Sequence, residues 1–240
     1  MAIIFKKYNL DKGLINPDIA IGAGHKTHLY LLAIKRCFGA KIVVIMKPSL
    51  PLKFFDLCVI PKHDGVKSGS NVFITNTPLV NFNLNKKKKE NMALFLIGGP
   101  SKHYYWDSKR VLEQIKNISK QFKFKKLLIT TSRRTPIEFI NEFNKSKIKN
   151  IKLYEHTKIM NDWLDKNIIK VKNIWVTNDS YSMLIEAVAS GAYTDILELK
   201  MKKKSKLSGE INTIKKKIRN KITIQNEAER VAKFIQKIWF

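Results

Sequence analysis

The chain has 240 residues, 44% of them hydrophobic, which is enough for one large or two small domains with buried cores and excludes a disordered protein. Its net charge of +27 invites a nucleic-acid-binding interpretation. However, only six of its 46 basic residues are arginine, the side chain that nucleic-acid sites favour, so no nucleic-acid partner is expected. Two cysteines, Cys37 and Cys58, provide neither a disulfide framework nor metal-ligand spacing, and we expect no metal.

Short apolar runs alternate with helical patterns through the first part of the chain. A strand ending in glycine at 18–22 is followed by apolar residues at helical spacing over 25–38. Further strands are predicted at 41–46, 57–60 and 71–75. The lysine run at 86–89 predicts a linker, with a plain surface loop as the alternative.

The pattern then restarts. Strands are predicted at 93–97, 127–130, 151–154, 173–177 and 194–199, and helices at 107–120, 136–143, 160–165 and 180–190. This alternation favours right-handed crossovers and parallel sheets. It predicts an α/β protein with two doubly wound Rossmann-like domains, at 1–85 and 86–225, followed by an amphipathic helix at 226–240.

Ligands of doubly wound sheets bind beyond the carboxyl ends of the strands, so the residues after each strand are the candidates. In the first domain, Gly22 and Gly24 could let backbone amides approach an anion. The third glycine of the dinucleotide fingerprint is missing, and a tight strand–helix turn explains the glycines equally well. For an enzyme, His25 or Asp64 would be the candidate base.

A second glycine loop follows the strand predicted at 93–97. Gly98 and Gly99 would remove side-chain bulk next to a ligand. Ser101 offers a hydroxyl, and Lys102 is a mobile cation suited to phosphate. The loop lacks the spacing of a Walker motif, and a simple turn is the alternative.

Hydroxyl and guanidinium groups follow the strand predicted at 127–130. These are Thr131, Ser132, Arg133 and Arg134. Two adjacent arginines in a lysine-rich chain favour bidentate phosphate recognition. Alternatively, Ser132 or Thr135 caps the helix that begins near Pro136.

The last candidate cluster follows the strand predicted at 173–177 and comprises Asn178, Asp179, Ser180, Ser182 and Glu186. Amides at the N-terminus of the following helix could hold a diphosphate. Glu186, about two turns into that helix, could accept hydrogen bonds from ribose hydroxyls. The alternatives are a surface carboxylate for Glu186 and an N-cap for Asp179.

Taken together, several blocks of the sequence resemble the bacterial and plant family named for mitochondrial fission ELM1. The blocks are 21–28, 46–51, 55–58, 61–65, 97–104, 130–136 and 177–191. That family in turn looks like the GT-B glycosyltransferases, so the resemblance implies a GT-B-like fold whose final helix packs back on the first domain. A membrane-surface helix is the alternative for that segment. The donor cleft would be lined by Gly99, Ser101, Lys102, Arg133, Asn178, Ser180, Ser182 and Glu186.

The resemblance implies a protein that transfers a sugar from a nucleotide diphosphate-sugar to a lipid-linked or other cell-envelope acceptor, with the nucleotide-sugar as substrate and no cofactor. The alternative is a non-catalytic adaptor in membrane or organelle division, since plant members are associated with recruiting the mitochondrial division machinery. Members of the family carry more chain before the first strand. We therefore expect a truncated first domain, which leaves activity open.

The N-terminus has no long apolar segment or cleavage site typical of a secretory signal. No apolar run reaches the roughly 20 residues that a membrane-spanning helix needs. We expect a cytoplasmic protein whose positive charge favours peripheral contact with the anionic surface of the inner membrane.

Overall fold

The computed structural model describes residues 16–80, 90–146, 148, 150–160, 162–204, 206–219 and 226–240. The chain divides into two compact units, one formed by Met1–Leu79 with Glu227–Phe240 and the other by Val80–Asn226. The linker predicted at 86–89 lies outside the described residues. In the described part of the chain, no helix combines the length and the apolar character needed to cross a bilayer.

The first unit contains a parallel sheet in the order β1-β2-β3-β4. Its strands are β1 (Ile19–Ala23), β2 (Lys41–Ile45), β3 (Leu57–Pro61) and β4 (Val72–Thr75). Successive side chains of a strand point to opposite faces, and both faces of this sheet are covered. Ile42 and Val44 pack with Leu31 of helix α1 (His28–Phe38). On the other face, residues of β2 and β3 pack with Val231 and Ile235 of the C-terminal helix.

The second unit contains five parallel strands in the order β7-β6-β5-β8-β9. The strands are β5 (Glu90–Ile97), β6 (Lys126–Thr131), β7 (Ile151–Tyr154), β8 (Val171–Thr177) and β9 (Tyr193–Leu197). The helices are α2 (Ser108–Gln121), α3 (Ile137–Lys145), α4 (Trp163–Ile168), α5 (Tyr181–Ala189) and α6 (Lys206–Arg219), and α7 (Glu227–Trp239) closes the chain in the first unit. The predicted α/β class with parallel sheets is confirmed.

Three helices differ from the sequence prediction. Helix α6 was not predicted, although Ile211 and Ile214 are buried in it. The helix predicted at 160–165 begins at Trp163. Pro136, predicted at the first helical position, is the N-cap residue of α3 and makes no side-chain cap, so neither Ser132 nor Thr135 is the N-cap residue.

The two cysteines lie in contrasting surroundings in the first unit. Cys37 is exposed near the end of α1, whereas Cys58 is buried within β3. Burial raises the pKa of the Cys58 thiol to about 11, because desolvation disfavours the thiolate.

Candidate functional site

The carboxyl edge of the second sheet has a topological switch point between β5 and β8. From β5 the chain adds β6 and β7 on one side, and then returns to add β8 and β9 on the other. The Gly98 N–H donates to Thr177 Oγ1 at 2.8 Å, and the Gly99 N–H donates to Asp179 Oδ2 at 3.1 Å. The loops after the two central strands are therefore tied together at the place where such sheets bind ligands.

The loop after β6 joins the same network. Ser132 Oγ and Thr135 Oγ1 donate to the Gly98 carbonyl at 3.1 and 2.6 Å. The Arg134 guanidinium lies 2.8 Å from Asp179 Oδ2 through Nη2, and its Nη1 donates to the Pro100 carbonyl at 3.3 Å. Three strand-end loops thus converge, with Asp179 bound by two of them.

Gly98 and Gly99 were predicted to leave room for a ligand, and the structure gives a different reason for them. A Cβ atom on Gly98 would lie 2.3 Å from Asp179 Oδ2, and one on Gly99 would lie 1.9 Å from the Arg134 carbonyl oxygen. Neither distance permits a larger residue. The space beside these glycines is filled by Asp179 and Arg134 of the protein itself.

The Asp179 side chain is completely buried. Burial raises the pKa of this carboxyl, and the Thr177 hydroxyl, the Gly99 amide and the Arg134 charge act in the opposite direction. Ser180, not Asp179, is the N-cap residue of α5, so the N-cap interpretation of Asp179 is wrong. Asp179 connects loops across the sheet edge.

An open depression of about 610 Å³ lies over this network. Its lining residues are Pro100, Ser101, Lys102, His103, Arg134, Asp179 and Lys202. Lys102 is exposed, Lys202 Nζ donates to the Ser101 carbonyl at 2.9 Å, and 43% of the Arg134 side chain remains exposed. Three cationic groups therefore surround the depression, while the carboxylate beneath it is paired.

Sequence reasoning missed two of the lining residues. Lys202 belongs to a lysine-rich stretch without a distinctive pattern, and it reaches the site because a bridge between Tyr104 and Met201 holds that stretch against the glycine loop. His103 was visible in the sequence directly after Lys102. Its ring is half-buried, and its Nδ1 has no hydrogen-bond partner among the described residues.

Two predicted contact residues use their polar atoms inside the fold. The Asn178 side chain donates to Glu198 Oε2 and to the Leu199 carbonyl, and it accepts the Leu199 N–H at 2.9 Å. Thr131 Oγ1 accepts the His156 N–H at 2.9 Å. Both side chains brace neighbouring loops.

The other predicted residues of this unit lie outside the lining of the depression: Arg133, Ser180, Ser182 and Glu186. Arg133 and Ser182 are exposed, and Ser180 is half-buried at the start of α5. Glu186 is half-buried, and burial raises the pKa of its carboxyl with a further contribution from the Asp165 charge. The interpretation of Glu186 as an ordinary surface carboxylate does not fit these surroundings.

The first unit's candidates lie at the carboxyl edge of its own sheet. Gly24 has a φ of +80°, and the Thr27 hydroxyl donates to the Gly24 carbonyl at 2.8 Å. A Cβ on Gly22 would lie 2.7 Å from Thr27 Oγ1. A tight strand–helix turn therefore accounts for both glycines.

The two candidate bases follow different strands of that sheet. His25 is exposed after β1. Asp64 follows β3, accepts the Lys47 N–H at 3.4 Å and lies 3.6 Å from the His63 ring. Across the described ranges of the chain, no three His, Cys, Asp or Glu side chains gather as metal ligands would.

Residues 4–237 match the family described as mitochondrial fission ELM1. The chain belongs to this family. The family resemblance predicted from the sequence is thereby confirmed. Among curated proteins, no sequence matches this ELM1-family chain significantly.

The chain is also similar to several solved structures, at low sequence identity. These include MurG of Acinetobacter baumannii, with 11% identity, a TM-score of 0.37 and coverage of 92% of this chain and 75% of that one. TarM has 10% identity, a TM-score of 0.45 and coverage of 96% and 54%. The lipopolysaccharide outer core galactosyltransferase WaaB has 11% identity, a TM-score of 0.36 and coverage of 88% and 69%. At these TM-scores, the similarities carry no conclusion about this chain.

Proposed function

We propose that the second unit binds the diphosphate of a nucleotide-sugar in the depression at the β5–β8 switch point, and that the protein transfers this sugar to a cell-envelope acceptor. The observation that carries the proposal is that Lys102, Arg134 and Lys202 converge at the carboxyl edge of the second sheet, over the switch point between β5 and β8. Doubly wound sheets bind nucleotides at such points.

The charges of the depression suit a diphosphate. Lys102 is an exposed point charge that can follow phosphate oxygens, and Lys202 is held beside the glycine loop by its bond to the Ser101 carbonyl. Arg134 is fixed by Asp179, so its remaining N–H groups are already oriented before a ligand arrives. In a glycosyl transfer, such cations would stabilise the negative charge that develops on the leaving diphosphate.

The remaining predicted residues also have roles in this proposal. The helix N-terminus at Ser180 is suited to a phosphate group. Glu186, whose raised pKa reflects a partly desolvated carboxyl, is proposed to accept hydrogen bonds from the ribose. Arg133, exposed beside Arg134, is proposed as a second guanidinium contact, and His25 or Asp64 as the base.

Calorimetric titration with uridine, guanosine and adenosine diphosphates and their sugars tests the binding step. Lys102→Ala and Lys202→Ala should each weaken the affinity about tenfold, which corresponds to about 1.4 kcal/mol. Lys172→Ala is the matched control, because Lys172 is exposed within β8 and does not line the depression. Release of the nucleoside diphosphate from the tightest-binding nucleotide-sugar then tests turnover.

The proposal fails if no nucleotide binds below the millimolar range, or if the Lys102 and Lys202 variants bind as the control does. Membership of the ELM1 family also fits the adaptor alternative. Co-purification of a stoichiometric protein partner, with no nucleotide binding, would favour that alternative. Binding without turnover would retain the site and remove the transferase.

A further inference from the structure

A second concave surface lies at the opposite, amino edge of the second unit's sheet. The end of α2 and the beginnings of β6 and β7 surround a groove of about 570 Å³. Its lining residues are Lys116, Ser119, Lys120, Phe122, Lys123, Phe124, Leu127, Ser146, Ile148 and Asn150. The proposed nucleotide site uses none of these residues.

The groove combines positive charge with apolar surface. Lys116, Lys120 and Lys123 are all exposed, and the first two lie four residues apart, on one face of α2. No acidic residue contributes to the lining. Within the described residues, no carboxylate pairs with any of the three lysines. Their charge is therefore available to an anionic partner.

The adjoining depression differs in charge balance. It adds Lys109 and Lys145 but also Glu113 and Glu142, and Glu142 lies 3.7 Å from Lys145. Opposite charges offset one another there. Of these two adjoining depressions, only the groove has basic lining residues without acidic ones.

An exposed aromatic ring lies among the three lysines. The Phe122 side chain is 39% exposed, although its ring lies 5.8 Å from each of the Phe124 and Trp175 rings. Tyr193, 57% exposed, contacts Trp175 from another direction at 6.3 Å. Two partly exposed aromatics therefore flank a buried tryptophan and are held by packing. Aromatic rings beside lysine ammonium groups are typical of surfaces that lie at a bilayer interface.

We propose that this groove is a contact site for an anionic phospholipid surface. The three lysines would bind headgroup phosphates, and Phe122 would enter the boundary between headgroups and acyl chains. A lipid surface fits better than a nucleic acid or an acidic peptide for two reasons. The lining contains no arginine to supply a planar fork for bases or carboxylates, and four of its ten residues are apolar, among them the exposed Phe122.

Flotation of the full chain with phosphatidylserine–phosphatidylcholine vesicles at 150 mM salt tests the proposal. The variant Lys116→Gln, Lys120→Gln, Lys123→Gln should lose about tenfold or more in vesicle affinity. The matched control is Lys53→Gln, Lys62→Gln, Lys67→Gln, which removes the same charge from exposed lysines of the first unit. This control should lose less than about threefold, because distant charges are screened at that salt.

Equal losses in the two triple variants would overturn the proposal, because binding would then follow net charge alone. A second comparison examines the aromatic contribution: Phe122→Ser should weaken vesicle binding, whereas Phe54→Ser, at 42% exposure, should not. Thermal melts confirm that each variant is folded. If Phe122→Ser unfolds the chain, the lysine comparison decides.

Two further experiments distinguish a lipid surface from a small anion and from a nucleic acid. Displacement of the wild-type chain from vesicles by millimolar glycerol phosphate or inorganic phosphate would identify a small-anion site and overturn the membrane assignment. Binding to a 20-nucleotide RNA that the groove variant loses, without vesicle binding by the wild type, would overturn it in favour of nucleic acid. No displacement by either phosphate, together with the tenfold loss of vesicle affinity in the groove variant, supports the proposal.

Discussion

Each unit buries a carboxylate against an arginine, but the two pairs connect different parts of the fold. In the second unit, Asp179 binds Arg134 and the Gly99 amide and thereby joins loops at one edge of the sheet. In the first unit, Glu227 is 1% exposed, lies 2.9 Å from Arg230 and accepts a hydrogen bond from Asn76 at 3.0 Å. That pair secures the start of α7 to the end of β4.

The difference shows why polar residues after a strand do not by themselves indicate a site. In the first unit's candidate loops, the Thr27 hydrogen bond to Gly24 is local, the Lys47 N–H reaches Asp64 only at 3.4 Å in an exposed contact, and His25 is exposed. The second unit's loops are held to one another by buried groups from three different strand ends. Fixed geometry of this kind is what a binding site requires.

The largest expected effect is on the free energy of unfolding, and it differs between glycines of the two units. Gly99→Ala should lower the free energy of unfolding by about 3 kcal/mol, because its Cβ would lie 1.9 Å from the Arg134 backbone oxygen. Gly22→Ala should cost less, because its Cβ would meet the side chains of Thr27 and Leu31, which can move. Urea denaturation measures both values.

Gly209→Ala is the control for the glycine comparison. Gly209 lies in α6, and a Cβ there would have no atom within 4 Å. This substitution should stabilise the chain by about 0.5–1 kcal/mol. A loss for Gly99→Ala no larger than that for Gly22→Ala would contradict the difference between the two loops.

The next effect separates the two buried carboxylates by function. Asp179→Ala and Glu227→Ala should each cost about 2–3 kcal/mol, because each removes the carboxylate paired with a guanidinium and the acceptor of one further hydrogen-bond donor. Only Asp179→Ala should also weaken nucleotide binding in calorimetry, since only Asp179 orients the proposed site. Asp162→Ala, which removes an exposed pair with Lys166, should cost less than about 1 kcal/mol. Equal nucleotide affinity in the Asp179 and Glu227 variants would show that the loop network does not shape the site.

A smaller effect is the dependence of stability on acid pH in the second unit. The folded state raises the Asp179 pKa above its ordinary value of 3.8, so the folded chain binds this proton more tightly than the unfolded chain does. The resulting stabilisation is complete below pH 3.8 and is lost as the pH rises through the folded pKa. Asp179→Asn should remove this component from melting temperatures measured between pH 3.5 and 7. Parallel curves for variant and wild type would contradict it.

The smallest expected effect is the pH dependence of stability due to His28 in the first unit. Its sign is opposite to that of Asp179, because stability falls as the pH falls. Burial and the His25 charge lower the pKa of His28 below 6.5, so the unfolded chain takes up this proton first. Stability is therefore present above pH 6.5 and is lost as the pH falls through that value towards the folded pKa. His28→Gln should reduce the fall in melting temperature between pH 7.5 and 5.5. An unchanged fall would show that His28 does not titrate on unfolding.

Much of the fold follows from the sequence because apolar periodicity and strand-terminating glycines are local signals. Helix α6 was missed although Ile211, Ile214 and Ile218 follow helical spacing, because lysines dominate that stretch. The spacing alone, given more weight than composition, would have predicted it. The family was recognised because long blocks of unusual sequence carry it.

The candidate site was predictable in position more than in detail. Residues after strands can be located from the sequence, but which polar atoms turn inward depends on packing between distant loops. Asn178 satisfies its amide at Leu199, and Gly99 accommodates Arg134. Both relations join segments far apart in the chain. Lys202 enters the depression for the same reason.

The two cysteines of the first unit differ in exposure, so a thiol reagent can label one of them selectively. At neutral pH a maleimide reacts with accessible thiolate, so it should modify Cys37 and spare Cys58, whose thiol is buried with a pKa of about 11. One fluorescent reporter can then be attached to the natural sequence without a substitution. Nucleotides, vesicles and candidate protein partners can all be titrated against that single label.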